Sequence, residues 1–315
     1  MSLTRLLDDR HGPVRTWFED TLPNVKPIAE RWKAAGSPAI IPAWERPAWG
    51  LLGAAVDYRI RYFFACTPPR EFVAAYGANT RALSDDEVTA MIELRMAGED
   101  SFDRFAAALD VHVTEHDPVG GLLDPPGERL LAKFCFVLAM YETVFRTGRP
   151  SDALDGLGSG ASAEAQLALV PEEAVDDLVA LAEGFVTAGT SLLGRPTVLN
   201  PTFAGSLRVG GADADLIVDG LLLEVKTTKA ARPDRDWVYQ LVGYLLLDVG
   251  DEHQLERLGF YVSRVPTLLD WDADELLALL AGRPAGRREL RDGFFAAVEQ
   301  AGPVRRLRAS AGPTT

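Results

Sequence analysis

Asp215, Glu224 and Lys226 lie within a twelve-residue span of Gly-Ala-Asp-Ala-Asp-Leu-Ile-Val-Asp-Gly-Leu-Leu-Leu-Glu-Val-Lys-Thr-Thr (residues 211–228), and Gln240-Leu-Val-Gly-Tyr244 follows. The apolar runs Leu216–Val218 and Leu221–Leu223 flank Asp219-Gly220, a pair that favours a tight two-residue hairpin. In an extended strand Glu224 and Lys226 are two residues apart and project from one face. The hairpin folds the strand that opens at Asp215 back alongside, so the two carboxylates and the amine meet. Carboxylates brought together in an apolar hairpin are costly unless a cation neutralises them, and hard oxygen ligands supplemented by water suit Mg²⁺ or Mn²⁺. Such an ion would polarise a phosphoryl oxygen and acidify a bound water, while the Lys226 ammonium would orient that water or offset transition-state charge. That chemistry is phosphodiester hydrolysis.

Several elements must hold these residues. Short apolar runs at Ser206–Val209, Ala214–Val218 and Leu221–Thr227 predict three antiparallel strands. A helix over about Asp236–Asp248, a strand over Leu258–Ser263, and helices over about Asp272–Leu280 and Arg287–Gln300 complete this half. Upstream, Pro171–Leu193 reads as an amphipathic helix with Pro171 in its first turn and Glu172 and Glu173 at its positive end. From Val14 to Tyr141 the three- and four-residue apolar spacing is mostly helical. Gly, Ser and Pro then concentrate between Arg146 and Ala163 without periodicity. The expected organisation is a helical N-terminal domain over 1–148, a linker over 149–165, a mixed α/β domain over 166–302 and a flexible basic tail over 303–315. The fold class is α+β, with a mixed central sheet flanked by helices.

With the motifs placed, the sequence resembles the PD-(D/E)XK nuclease superfamily, in which an Asp opens one strand and Glu-x-Lys lies on the next. The Gln240-x-x-x-Tyr244 pattern on the following helix resembles the RecB-type exonuclease branch. The resemblance covers about residues 170–265 and implies a restriction-endonuclease-like core. It implies that Asp215, Glu224 and the Val225 carbonyl bind the metal, that Lys226 is catalytic, and that Gln240 and Tyr244 border the site near the substrate strand. Many relatives carry a further acidic or histidine ligand on the helix ahead of the first strand. Glu183 is preferred for that place over Asp176 and Asp177. Asp213 competes with Asp215; Asp215 is preferred because it directly precedes the apolar run, and Asp213 on the same face would support the site. The four-cysteine cluster of some RecB-type exonucleases is excluded, because the chain has 2 cysteines.

Composition bounds the rest. The chain has 315 residues, 47% hydrophobic and 25% charged, which excludes disordered and collagenous classes. Two cysteines are too few for a disulfide framework or a four-thiolate zinc site. The apolar stretch Phe134–Met140 is far short of the roughly 20 residues a membrane span needs, and no signal-peptide segment follows Met1, so the expectation is a cytoplasmic protein with no membrane partner. Net charge is −14, yet residues 151–200 hold 1 basic and 8 acidic side chains while 201–315 hold 14 and 17, which leaves room for a local basic groove.

The expected function is a Mg²⁺- or Mn²⁺-dependent nuclease acting on DNA, in bacterial DNA processing or defence against foreign DNA, with partner proteins recruited through the helical domain. Two alternatives stay open: a catalytically silent binding or scaffold module, and an RNA-processing nuclease. Lys229, Arg232 and Arg235, and the C-terminal arginines 283, 287, 288, 291, 305, 306 and 308, are candidate phosphate contacts. Tyr58, Tyr62, Phe63 and Phe64 read as core packing, with Arg59 and Arg61 secondary candidates for substrate contact. His112-Val-Thr-Glu-His116 matches a zinc-peptidase pattern, but Val111, Val113 and Thr114 favour extended chain and Asp117-Pro118 ends any helix, so a loop or helix end is expected.

Overall fold

The computed structural model describes residues 2–35, 38–42, 44, 47–80, 88–147, 154, 156–157, 160–230 and 233–302. Among them the chain is α+β. The helices are α1 (Leu3–Asp8), α2 (Pro13–Thr21), α3 (Lys26–Ala34), α4 (Trp49–Tyr62), α5 (Val73–Thr80), α6 (Val88–His116), α7 (Pro125–Thr147), α8 (Ala163–Leu167), α9 (Glu172–Gly189), α10 (Arg235–Leu247), α11 (Ala273–Ala281) and α12 (Arg287–Gln300). The strands β1 (Thr197–Leu199), β2 (Leu216–Val218), β3 (Leu221–Lys226), β4 (Arg257–Val262) and β5 (Thr267–Asp272) form one sheet in the order β1-β2-β3-β4-β5. Only the β3–β4 pair is parallel among these neighbours. Joining parallel neighbours requires a crossover, and α10 supplies it, capped at its start by the Asp234 side chain.

The β2–β3 hairpin forms as expected. Asp219 and Gly220 both take left-handed backbone, φ 48° and 75°, the conformation that matches a two-residue turn to strand twist. Its register pairs Leu216 with Leu223. The strand expected at Ser206–Val209 is instead a 3₁₀ turn. Ser206 causes this: its hydroxyl accepts from the Phe203 N–H at 3.0 Å and donates to the Ala212 carbonyl at 2.7 Å, curling the chain. β1 takes the place beside β2. β5 was not anticipated either, because Thr-Leu-Leu-Asp-Trp-Asp lacks clean alternation; it forms by pairing along all of β4. The α9 helix stops at Gly189, and a 3₁₀ turn replaces its expected last residues.

Packing follows the two faces of the sheet rather than the order of the chain. Leu216, Val218, Leu221, Leu223 and Tyr261 pack with α4, α7 and α9. Ile217, Leu222, Leu258, Phe260 and Val262 face the other way and pack with α1, α2, α3, α10, α11 and α12. The first three helices therefore belong to the layer of the C-terminal half, although the sequence groups them with the helical region over 1–148. Ala163–Leu167, which begins inside the segment expected as a linker, is helical, and its Gln166 is buried between Tyr141, which donates to it at 2.8 Å, and the Ser101 carbonyl, which accepts from it at 2.9 Å. The remaining linker positions 149–153, 155, 158 and 159, and the tail 303–315 with its arginines, lie outside the described residues. Among the described residues no helix is long and apolar enough to cross a membrane.

Gly259 on β4 tests the sheet. A Cβ there would sit 2.6 Å from the Leu269 carbonyl oxygen on β5. The obstacle is backbone and cannot rotate away, so Gly259→Ala is expected to cost about 1–3 kcal/mol of stability in urea denaturation, the usual range for overpacking.

Candidate functional site

The hairpin brings the expected residues together. Asp215 immediately precedes β2, and continuing the register places it opposite Glu224 on β3. The Val225 N–H donates to Asp215 Oδ2 at 2.7 Å, and the Asp215 N–H donates to Glu224 Oε1 at 3.4 Å. Glu224 and Lys226 share a face, as strand alternation requires, and Lys226 Nζ donates to Glu224 Oε2 at 2.8 Å. The same ammonium donates to Gln240 Oε1 at 3.3 Å, and Gln240 Nε2 donates to the Tyr244 hydroxyl at 2.8 Å. One turn of α10 thus fixes Gln240 through Tyr244, and Gln240 helps fix the lysine.

These residues line a cleft of about 340 Å³ whose opposite wall comes from the helical region: Asp57 and Arg61 of α4, and Glu142 and Arg146 of α7. Asp213 lines it as well. Arg61 pairs with Asp57 at 2.5 Å and donates to Asn200 Oδ1 at 3.2 Å, while Arg146 pairs with Glu142 at 2.5 Å. Sequence reasoning missed Asp57, Glu142 and Arg146. The available signal was an acid and an arginine four residues apart inside otherwise apolar helical stretches, a spacing that sets the pair on one helix face. Arg61 does face the cleft. Arg59 instead points away into a buried pair with Glu128 at 2.6 Å, and Tyr58, Tyr62 and Phe63 are core.

Glu183 does not join this set. It is exposed on α9, on the side away from the packed Leu178, Ala182 and Phe185. The two alternatives are engaged elsewhere: Asp177 in a buried pair with Arg264, and Asp176 in an exposed pair with Arg129. The upstream carboxylates at the cleft are Asp57 and Glu142.

Burial and mutual repulsion shape the titration here. Glu224 is pushed up from its ordinary 4.5 to about 7, by burial first and then by the neighbouring charge of Asp215. Asp57 is pushed up to about 8, chiefly by burial, against the opposing pull of Arg61. Burial also raises Asp213. For Lys226 burial works downward, but the charges of Glu224 and Asp215 outweigh it and hold the amine above its usual range, so it stays an ammonium. The Tyr244 phenol is raised by burial and stays protonated.

Among the described residues no three His, Cys, Asp or Glu side chains form a metal-ligating group by themselves. The donor set nevertheless fits a hard divalent ion that retains several waters. Asp215 and Glu224 supply two carboxylates. The Val225 carbonyl supplies a third oxygen on the same side: Lys226 C=O accepts from Ser263 N–H at 3.1 Å on the β4 side, so alternation turns Val225 C=O towards Asp215. Of the side chains lining the cleft, Asp57, Glu142, Asp213, Asp215 and Glu224 oppose Arg61, Arg146 and Lys226, an excess of two negative charges once all five acids are ionised, which one such ion would balance. Asp57 Oδ1, buried without a hydrogen-bond partner, is a further unsatisfied acceptor at this wall.

Several of the remaining candidates are engaged elsewhere. His112 and His116 are helical, on the last turns of α6 rather than in extended chain, but the His112 ring nitrogen meets the Gly127 carbonyl at 3.0 Å and His116 meets the His112 carbonyl at 3.0 Å. Arg283 and Arg287 pair with Glu289 and Asp274, and Arg291 donates to the Asp248 carbonyl at the end of α10. Arg232 lies outside the described residues. Comparison with known proteins matches no family model, no curated sequence and no solved structure.

Proposed function

We propose that the chain is a divalent-metal-dependent nuclease of the PD-(D/E)XK type, with a restriction-endonuclease-like core, that hydrolyses phosphodiester bonds of DNA. The observation that carries this reading is the meeting of Asp215, Glu224 and Lys226 in one cleft, with Lys226 tied to Gln240 and Gln240 to Tyr244. Asp215, Glu224 and the Val225 carbonyl would hold Mg²⁺ or Mn²⁺. When bound, the ion supplies Lewis-acid polarisation of a phosphoryl oxygen and an acidified water. Lys226 donates from a position set by two acceptors, so it orients a nucleophilic water or neutralises charge that grows on the phosphoryl oxygens. Gln240 and Tyr244 keep that ammonium from collapsing wholly onto Glu224. Arg61 and Arg146 bring positive charge from the opposite wall towards the substrate phosphate.

The test is plasmid and linear DNA incubated with Mg²⁺ or Mn²⁺ and the wild-type or Asp215→Ala protein. Cleavage by the wild type and its loss in the variant are expected; equal cleavage by both removes the assignment. A second expectation concerns pH. Between about 4.5 and 7 the unfolded chain ionises Glu224 while the folded, metal-free protein keeps its proton, so this group makes folding less favourable as pH rises through that window; Asp57 acts likewise up to about 8. An ion at the carboxylates removes that cost and competes with the proton. The rise in melting temperature produced by Mn²⁺ is therefore expected to be larger at pH 8 than at pH 6. An equal or smaller rise at pH 8 contradicts the assigned ligands.

A further inference from the structure

The face of α10 that carries Tyr244 and Gln240 continues one turn towards the helix start to Trp237. The Trp237 ring centroid lies 5.9 Å from Lys226 Nζ, and its indole is braced by Trp32 at 6.1 Å, itself held by a 3.1 Å hydrogen bond from Nε1 to the Ala230 carbonyl. Trp237 is only half-buried. It lines a second hollow, a groove of about 810 Å³ between the start of α3 and the segment leading into α10. Thr227 lines the cleft and Thr228 the groove, as do Lys226 and Trp237 respectively, so the two hollows adjoin behind the catalytic lysine.

We propose that this groove takes the part of a single DNA strand next to the scissile phosphate, with Trp237 stacking on one base and Lys26 and Arg235 meeting its phosphates; the inference rests on the nuclease reading of the cleft. Pro23, Val25 and Pro233 give the groove an apolar floor suited to sugar and base, and the two cations stand on its rim. The Lys26 side chain is 83% exposed and its contact with Glu30 is 3.7 Å; Arg235 is 4.0 Å from Glu19. Exposed pairs of that kind hold their cations weakly, which leaves both free to swing to a phosphate. Asp234, the acid in the lining, is committed to capping α10. A braced, half-exposed indole beside mobile cations is the combination that binds single strands without reading sequence, because every base offers a π-face once it is unpaired. A duplex base is already stacked and offers none.

The experiment uses the full chain and a 5′-labelled oligothymidylate, read by fluorescence anisotropy without metal and by cleavage with Mn²⁺. Trp237→Ala is expected to weaken binding by roughly 5- to 150-fold, the span of one base stacked on an aromatic ring, and Trp237→Phe to restore most of it. Oligonucleotides carrying one abasic site at successive positions should show a position where removing the base weakens wild-type binding but costs Trp237→Ala nothing further. Lys26→Ala with Arg235→Ala leaves the core untouched and is expected to flatten the salt dependence of log affinity by about 0.7 for each phosphate that is no longer neutralised. Binding unaffected by Trp237→Ala, or abasic sites that penalise both proteins alike, overturns the inference while leaving cleavage to stand. Trp237-dependent binding without cleavage overturns the nuclease reading instead. Absence of wild-type binding overturns this inference whatever the cleavage result.

Discussion

Lys226→Ala is expected to lower the rate of DNA cleavage by about 10²–10⁴-fold, the range typical for removing a positioned proton-transfer or charge-stabilising group. The loss should appear in kcat, since the ammonium acts on charge and water at the reacting phosphate rather than on distant parts of the strand. Metal binding provides the control. Lys226 occupies Glu224 Oε2 at 2.8 Å, and its removal leaves the two carboxylates more strongly repelling and more in need of a cation. Mn²⁺ affinity by calorimetry at pH 8 is therefore expected to be retained or increased in the variant. A protein that loses cleavage and Mn²⁺ binding together has lost the architecture of the site, and a protein that keeps full cleavage shows that the lysine is not catalytic.

Arg264→Ala is expected to cost about 3–5 kcal/mol of folding stability, because it strands a buried carboxylate. Arg264 follows β4 and makes two 2.5 Å contacts with Asp177 on α9, and neither side chain is exposed by more than 1%. With Arg264 in place Asp177 has almost no contact with solvent that could replace the missing partner. The pair also lies next to the site: Ser263, one residue before Arg264, donates its N–H to the carbonyl of Lys226. Urea denaturation of the single variant and of Arg264→Met combined with Asp177→Leu separates the causes. Recovery of most of the stability in the double variant identifies the stranded charge, whereas an equal loss in both identifies packing at the joint between α9 and β4.

Particular elements show where the chain was readable. The Asp219-Gly220 turn has one good geometry, so the hairpin and the convergence of Asp215 on Glu224 followed from local chemistry. The helices α10, α11 and α12 match their expected spans closely, α10 and α11 because the Asp234 and Asp272 caps agree with the apolar periodicity and α12 on periodicity alone. Ser206–Val209 misled because apolar content favours a strand, while the deciding contacts were hydrogen bonds from one serine to residues three and six positions away. β5 was invisible because pairing with β4, not its own pattern, makes it extended. Glu183 sits at a suitable place along its helix, but its position around that helix turns it to solvent.

The local sequence determined the hairpin, the common face of Glu224 and Lys226, and the one-turn spacing of Gln240 and Tyr244, since each depends on contacts between residues close along the chain. Only the tertiary structure decided that Asp57, Arg61, Glu142 and Arg146 form the facing wall, that α1, α2 and α3 pack beneath the C-terminal half, and that Trp237 borders a second hollow. Those contacts join residues far apart along the chain, as where Phe18 meets Phe294 and Tyr239, and the packing that selects them is non-directional burial of apolar surface, which leaves no spacing signature in either partner.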